Sequence, residues 1–405
     1  MDESQQSESI KIVHVVGDFS SRVQLQFMET TINSLPLYRH TVIYLEEIER
    51  VNWPWFKILS PSDLKDVKKW PLLSEFLSIR RLFKQQNTEI VITYGEKTFP
   101  YQLISKFEPS LRRIHIHTSP TPPFVNGAWL SKFFSILAFW CVDNIVFTHS
   151  LPFNLCTERS SFNKKACLLR PGINNKIYCP PIRIVKKQST TQGDNNKHID
   201  TSLTFGVWVE KGQSLFLKEV LTAYQAVRRN SQEFREGAQI LVGCSCKSEN
   251  HQTEKLLSSF SDSKEHIILL ALDEGEQGFI NRIDIAMHKY VDAFPTLNML
   301  KTMSMGIPTI GYCSPRHRYS LGDAAMECRP ILPVLSQNSI MKAFLKYYLC
   351  PTERNRAGRE CRLHVVREFN SSKFTEGFKQ LLRTEGTYTE DGVADSKGAE
   401  QQAKH

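Results

Sequence analysis

One stretch of the chain brings together the residue types needed to hold an anion. It runs from Tyr290 to Ile310 and includes Asp292-Ala-Phe-Pro295, Leu297-Asn298, Lys301 and Gly306-Ile-Pro308. The pattern reads as a strand, a Pro-containing loop, a short helix over Leu297 to Met305, a Gly stop and a second strand. A helix that starts near Leu297 and Asn298 presents unpaired backbone N–H groups and the positive end of its dipole, which suits a nucleotide diphosphate. Gly306 and Pro308 end that helix and lead into the next strand.

Three further segments have usable chemistry just after an apolar run. Glu210-Lys211-Gly212 follows Leu203 to Val209, where Lys211 would set its ammonium against a diphosphate as the loop turns at Gly212; the plain alternative is a solvated lysine in a turn. Gly17-Asp18-Phe-Ser-Ser21 follows the first apolar run, with Asp18 or Ser20 as a helix N-cap or Asp18 as a general base. It lacks the Gly-x-Gly-x-x-Gly spacing of a dinucleotide site. His115-Ile-His117 puts both histidines on one face of a strand, with His117 near its end, as a base, an acceptor-orienting group or a structural histidine.

The elements that must position these residues alternate in type. Short β-branched runs at residues 10–16, 40–45, 89–93, 113–118 and 144–148 predict strands of a first domain spanning 10–165, with a helix over 23–35. An interdomain segment at 166–202 includes a polar stretch, 186–202, that predicts a mobile loop. A second domain at 203–365 has predicted strands at 203–209, 239–242, 266–271, 289–292 and 309–312. A C-terminal helix is predicted at 366–384, between it and a disordered tail at 385–405; residues 1–9 form a polar tail. Strands alternating with helices predict α/β architecture with parallel sheets, whose ligands bind beyond the carboxyl ends of the strands.

Composition narrows the function classes. The 405 residues, 41% apolar and 23% charged, suit a globular protein of two domains. The net charge of +9 is spread along the chain, without the clustered basic and aromatic residues of a nucleic-acid surface, so no nucleic-acid partner is expected. Ten scattered cysteines, with Cys244-Ser-Cys246 as the one close pair, fit reduced thiols, a cytoplasmic location and no metal site. The acidic, polar start is no secretory signal. The apolar stretch at 129–147, broken by Lys132 and Asp143, predicts a buried helix running into a strand, with peripheral membrane contact as the alternative.

The order of these segments resembles that of the two-Rossmann-domain (GT-B fold) glycosyltransferases over residues 10–384. The resemblance rests on 10–18, Arg170-Pro-Gly-Ile-Asn174, Glu210-Lys-Gly212 and chiefly Asp292-Ala-Phe-Pro295 with Lys301-Thr-Met-Ser-Met-Gly-Ile-Pro308. It implies two facing Rossmann-like domains and a nucleotide-sugar donor, usually a UDP-sugar, held mainly by the second domain. The donor would be a substrate, with no separate cofactor. Lys211 would contact phosphates, and a glycan, lipid or protein acceptor would face the first domain.

The motif departs from the family at two points. The first glutamate of the usual pair is absent, with Asp292 one position out of register. Where the family carries an acidic residue that commonly binds the donor ribose, this chain has Lys301, which has no acceptor to offer. Two readings stand open. One is an active enzyme moving a sugar from the nucleotide-sugar donor to an acceptor hydroxyl or amide. The other is a catalytically inactive glycosyltransferase-like subunit that binds or chaperones a partner.

Overall fold

Runs of consecutive β-branched and apolar residues are buried on both faces when they form strands, so they pair in parallel and take helices on either side. The computed structural model describes residues 10–17, 22–45, 57–59, 79–95, 98, 101–105, 108, 110–118, 137, 139–148, 150–157, 165–180, 203–210, 212–244, 247–260, 265–271, 274–289, 296–312, 332–334 and 336–383. Contacts divide the chain into two units: residues up to Gly172 together with those from Ser372, and Ile173–Ser371.

The first unit contains β1 (Lys11–Val16), β2 (Arg39–Tyr44), β3 (Lys57–Leu59), β4 (Ile90–Tyr94), β5 (Arg112–His117), β6 (Asn144–Phe147) and β7 (Ala166–Leu168). They form one sheet in the order β3-β2-β1-β4-β5-β6-β7, with parallel pairing throughout. The helices α1 (Arg22–Ser34), α2 (Gln102–Ser105) and α3 (Ser150–Thr157) belong to this unit. Val13, Val15, Ile43 and Val91 point to one core beneath Phe83 and Tyr101.

The second unit contains β8 (Leu203–Val209), β9 (Ala238–Cys244), β10 (Ile267–Leu269), β11 (Ile285–Lys289), β12 (Thr309–Tyr312) and β13 (Leu332–Val334), in the order β10-β9-β8-β11-β12-β13. Its helices are α4 (Ser214–Asn230), α5 (Gln232–Gly237), α6 (Lys247–Ser258), α7 (Gly275–Asn281), α8 (Leu297–Ser304), α9 (Gln337–Leu349) and α10 (Pro351–Glu368). Alternation along β8 splits its side chains between two cores. Phe205, Val207 and Val209 join Tyr224, Phe234 and Phe344 on one face, where the Phe205 and Phe344 rings meet edge to face at 4.7 Å. Trp208 joins Phe279, Ile283 and Met305 on the other.

The last helix, α11 (Ser371–Arg383), packs on the first unit. Phe374, Phe378 and Leu381 recur at helical spacing and are buried, with the Phe374 ring 6.3 Å from that of Phe27. Thr375 Oγ1 bonds to Ser34 Oγ at 3.0 Å, and Arg112 donates to the carbonyls of Leu381 and Leu382.

The architecture is the expected α/β one with parallel sheets, and the strands at 203–209 and 309–312 match to the residue. Other boundaries moved. The strand expected at 289–292 lies upstream as β11, because His288, polar by type, is buried inside it and bonds to Thr302 Oγ1 at 3.2 Å. The single helix expected at 366–384 is the end of α10 and then α11, interrupted where Asn370 bridges to Ile173 and the Ser371 amide donates to the Ile173 carbonyl. The three-residue strands β3 and β13 had no counterpart in the sequence reading. The tails at 1–9 and 385–405, and the polar stretch from 186 to 202, lie outside the described residues.

Candidate functional site

In each sheet the strand order reverses beside the first strand of its unit, between β1 and β4 and between β8 and β11. In open parallel sheets generally, loops leaving the carboxyl ends of such neighbours run in opposite directions and leave a crevice, the usual place for a ligand. In the second unit that position belongs to the residues after β8, which begin with Glu210, and to the start of α8.

Thr296 caps α8: its extended backbone (φ −65°, ψ 159°) stops the helix, and its hydroxyl accepts from the Met299 amide at 3.3 Å. The other end is closed by Gly306 at φ +74°, where the Gly306 amide donates to the Met303 carbonyl and the Ile307 amide to that of Thr302. These paired bonds require a left-handed residue, a conformation glycine takes without steric cost. α8 therefore begins where the sequence pattern predicts and ends one residue earlier, at Ser304, with Met305 as its C-cap.

Asn298, in the first turn of α8, joins three elements. With its amide oxygen accepting from Trp208 Nε1 at 2.8 Å, its nitrogen donates to Glu276 Oε1 at 2.6 Å. In the opposite orientation the nitrogen instead reaches Glu210 Oε1 at 3.4 Å. The first orientation matches donors to acceptors at both ends of the amide and is therefore that of Asn298. Glu276 comes from the first turn of α7, after β10, so the carboxyl edges of β10, β8 and β11 all contribute.

Lys301 lies one turn further along α8. Its ammonium is 2.8 Å from Glu276 Oε2 and 5.2 Å from the centre of the Tyr178 ring, and only 13% of its side chain is exposed. Burial works against the charge, but the field of Glu276, the hydrogen bond to it and Tyr178 outweigh that, so the pKa is held above the usual lysine range. The positive charge that takes the place of an expected carboxylate is thus matched by a carboxylate from a neighbouring helix.

Of the residues singled out from sequence, Leu297, Asn298 and Lys301 stand together on α8. Gly212 is exposed at φ +76°, in the turn ahead of α4. Lys211, Asp292, Pro295 and Asp18 lie outside the described residues. His117 ends β5 in the other unit, with none of its surface exposed and its ring edge-on to Phe147 at 5.5 Å. Glu276, Trp208 and Tyr178 went unnoticed in the sequence. No local signal marks Glu276, an ordinary acidic residue in the first turn of a helix.

The first unit buries more histidines than His117. His14 Nδ1 lies 2.8 Å from the Tyr94 hydroxyl and its Nε2 lies 2.9 Å from His40 Nδ1, while His40 Nε2 bonds to the Leu35 carbonyl at 2.9 Å. His115 Nδ1 meets Thr93 Oγ1 at 2.8 Å. Burial first, then the neighbouring imidazole, hold His14 and His115 well below the usual histidine range, so both are neutral.

Among the described residues no helix is long and apolar enough to cross a membrane, no cluster of three or more His, Cys, Asp or Glu side chains could hold a metal ion, and seven cysteines are free thiols.

No protein-family model matches the chain, and no curated protein is similar to it in sequence. Solved structures are similar in fold. A glycosyltransferase from Rickettsia africae superposes with a TM-score of 0.65 at 12% identity, covering 93% of this chain and 100% of its own. HepE from Anabaena in complex with UDP gives 0.64 at 8% identity, over 92% and 99%. The Escherichia coli trehalose-6-phosphate protein bound with UDP-2-fluoro glucose gives 0.61 at 12% identity, over 93% and 100%. Identities this low speak for architecture, and in architecture the chain is similar over nearly its whole length to the two-Rossmann-domain, GT-B glycosyltransferases.

Proposed function

We propose that the protein is a glycosyltransferase that moves a sugar from a nucleotide-sugar donor, UDP-linked, to an acceptor hydroxyl or amide. The observation that carries this reading is the group formed by Asn298, Glu276, Trp208 and Lys301 at the capped start of α8, on the switch point of the second sheet. Similar folds that hold UDP and a UDP-sugar analogue support the choice of donor.

In this reading the free N–H groups of the first turn of α8 receive the diphosphate, and Lys211 adds its ammonium from the turn at Gly212. A carboxylate offers about four lone-pair positions. Glu276 spends two of them on Lys301 and Asn298, and the remainder accept from the donor ribose hydroxyls in place of the carboxylate missing at position 301. Stabilising the departing diphosphate supplies most of the rate, since leaving-group charge develops in the transition state. We assign Asp292 and Pro295 to the same donor site. On the acceptor side we assign Asp18 as the base, with His117, fully enclosed by its neighbours, orienting rather than exchanging the proton. Free cysteines in the described residues support a cytosolic setting.

The reading of an inactive binding subunit rests on Lys301 and on the missing acidic pair, and the first of these motives weakens once the lysine has a carboxylate partner. The test is calorimetry with UDP and GDP, followed by release of nucleotide from a panel of UDP- and GDP-sugars. UDP binding with turnover of a UDP-sugar is the expected result. Absence of nucleotide binding would overturn the assignment, and binding without turnover on any acceptor would return the protein to a binding role.

A further inference from the structure

A cavity of the second unit lies at the edge of its sheet away from the start of α8, where β11 and β12 begin. It has a volume of about 480 Å³ and is walled by Ile283 and Asp284 ahead of β11, by Ile307 and Pro308 ahead of β12, and by one side of α10. It is separated from Asn298 by the length of α8, roughly 12 Å for eight residues. The nucleotide-sugar reading makes no use of it.

Charge on α10 is sorted by face. Glu353, Arg356 and Glu360 pair with one another at 2.9 and 2.7 Å, and Lys346 comes within 3.7 Å of Glu353. At 3.6 residues per turn, Arg354, Arg359 and Arg362 fall on other sides of the helix, and all three line the cavity. Among the described residues none of these three is paired with a carboxylate. Arg354 donates to the Tyr347 carbonyl at 2.8 Å, and Arg362 donates to the Ser304 carbonyl at the end of α8. Each bond uses one of five N–H donors and fixes the guanidinium. Arg359 is exposed. Asp284, the one acid on the wall, accepts from the Thr204 amide at 3.0 Å.

The cavity also has an apolar wall: Ile280, Ile283, Met305 and Ile307 are at most 9% exposed and border it. The arginine face is brought close by Gly358, where a Cβ would lie 2.2 Å from the Gly306 carbonyl oxygen. Three fixed or reachable guanidiniums beside an apolar surface suit a dianionic phosphate monoester with an apolar body, because phosphate matches the guanidinium fork with three acceptor oxygens.

We propose that this cavity binds a phosphate monoester carrying an apolar group, at a site separate from that of the nucleotide. The same chemistry occurs in a soluble aryl or alkyl phosphate and in the head group of phosphatidic acid, so two probes are needed. The 405-residue protein, saturated with UDP, is titrated with phenyl phosphate by calorimetry. It is also floated on phosphatidylcholine vesicles with and without phosphatidic acid.

The expected result is binding of one or both probes that survives UDP and Asn298→Ala and weakens about tenfold or more in Arg359→Glu, the loss expected for a charge-assisted contact. Arg359 is exposed and bonds to nothing else among the described residues, so its substitution leaves the fold intact, and unchanged thermal melting verifies that. Phenyl phosphate alone would identify a soluble ligand, and vesicles alone a lipid head group. The proposal is overturned if neither probe binds, if Arg359→Glu binds as well as wild type, or if Asn298→Ala abolishes binding, which would put the probe in the nucleotide site.

Discussion

The Lys301 ammonium lies 2.8 Å from Glu276 Oε2, and the two side chains are only 13% and 26% exposed. Removing the lysine alone leaves a partly buried carboxylate without its cation, whereas removing both charges leaves none. Lys301→Met is expected to destabilise the second unit by about 1–3 kcal/mol, a figure reduced from that of a fully buried pair because water reaches Glu276. Lys301→Met with Glu276→Gln should recover at least half of it. Urea unfolding of the double-mutant cycle measures the coupling, and strictly additive losses would deny that the pair acts as a unit.

The same carboxylate is assigned to the donor. Glu276→Gln keeps the shape and the bond to Asn298 but halves the acceptor capacity, so UDP affinity should fall about 10- to 100-fold, in line with the loss of a charged hydrogen-bond acceptor. Lys301→Arg preserves the ion pair and should bind UDP within a few-fold of wild type. Calorimetry on both variants decides; equal affinity in Glu276→Gln and wild type would take Glu276 out of the site.

Histidine burial makes stability depend on pH. Burial lowers the pKa of His14, His40 and His115 in the first unit, helped by the neighbouring imidazole for His14 and His115; in the second unit burial alone takes His288 to about 3. In the unfolded chain each titrates near 6.5, so below that pH the unfolded state binds protons that the folded state refuses. The contribution of these histidines to stability is fully present above pH 7 and is lost as pH drops through 6.5. His14 and His115 together should remove about 3 kcal/mol from the first unit at pH 5.5, and His288 about half as much from the second. Hydrogen exchange at pH 7.5 and 5.5 resolves the units, and a first unit no more sensitive than the second contradicts this.

What the sequence made legible follows from where the information is local. Leu203 to Val209 and Thr309 to Tyr312 are unbroken apolar runs, and α8 is bracketed by a cap residue and a glycine, so all three could be read from their own residues. β11 was misplaced because a buried histidine breaks its apolar pattern, and β3 and β13 have too few residues to show a period. The partner of Lys301 was out of reach for another reason. Glu276 is 25 residues away and arrives only through the parallel crossover that sets α7 beside α8, so the substitution at 301 looked like a loss when read alone.

Two glycines that touch should differ sharply when changed. At Gly306 an added Cβ meets nothing closer than 3.7 Å, so Gly306→Ala carries only the strain of φ +74°, about 1–2 kcal/mol. At Gly358 the added Cβ lies 2.2 Å from the Gly306 carbonyl oxygen, an immovable backbone atom, so α10 must shift away from α8. Gly358→Ala is expected to cost about 3 kcal/mol or more, at the upper end of overpacking penalties. Thermal or urea unfolding compares the two, and similar losses would mean that the helices are not in the close contact described.

The last helix ties the end of the chain to its beginning. Phe374, Phe378 and Leu381 are at most 2% exposed, and burying three such side chains contributes at most about 9 kcal/mol. Arg112 satisfies the carbonyls of Leu381 and Leu382, two of the groups a helix end leaves without intrahelical partners. Arg112→Lys, which replaces the fork with a single ammonium, should cost about 1 kcal/mol. Truncation after Asn370 removes the whole contact and should unfold or loosen the first unit while the second keeps its own cores. Exchange mass spectrometry of the truncated protein reads this directly: fast exchange in β1, β2 and α1 with protected β8 and β9 is expected, and unchanged protection in the first unit would show that α11 is dispensable to it.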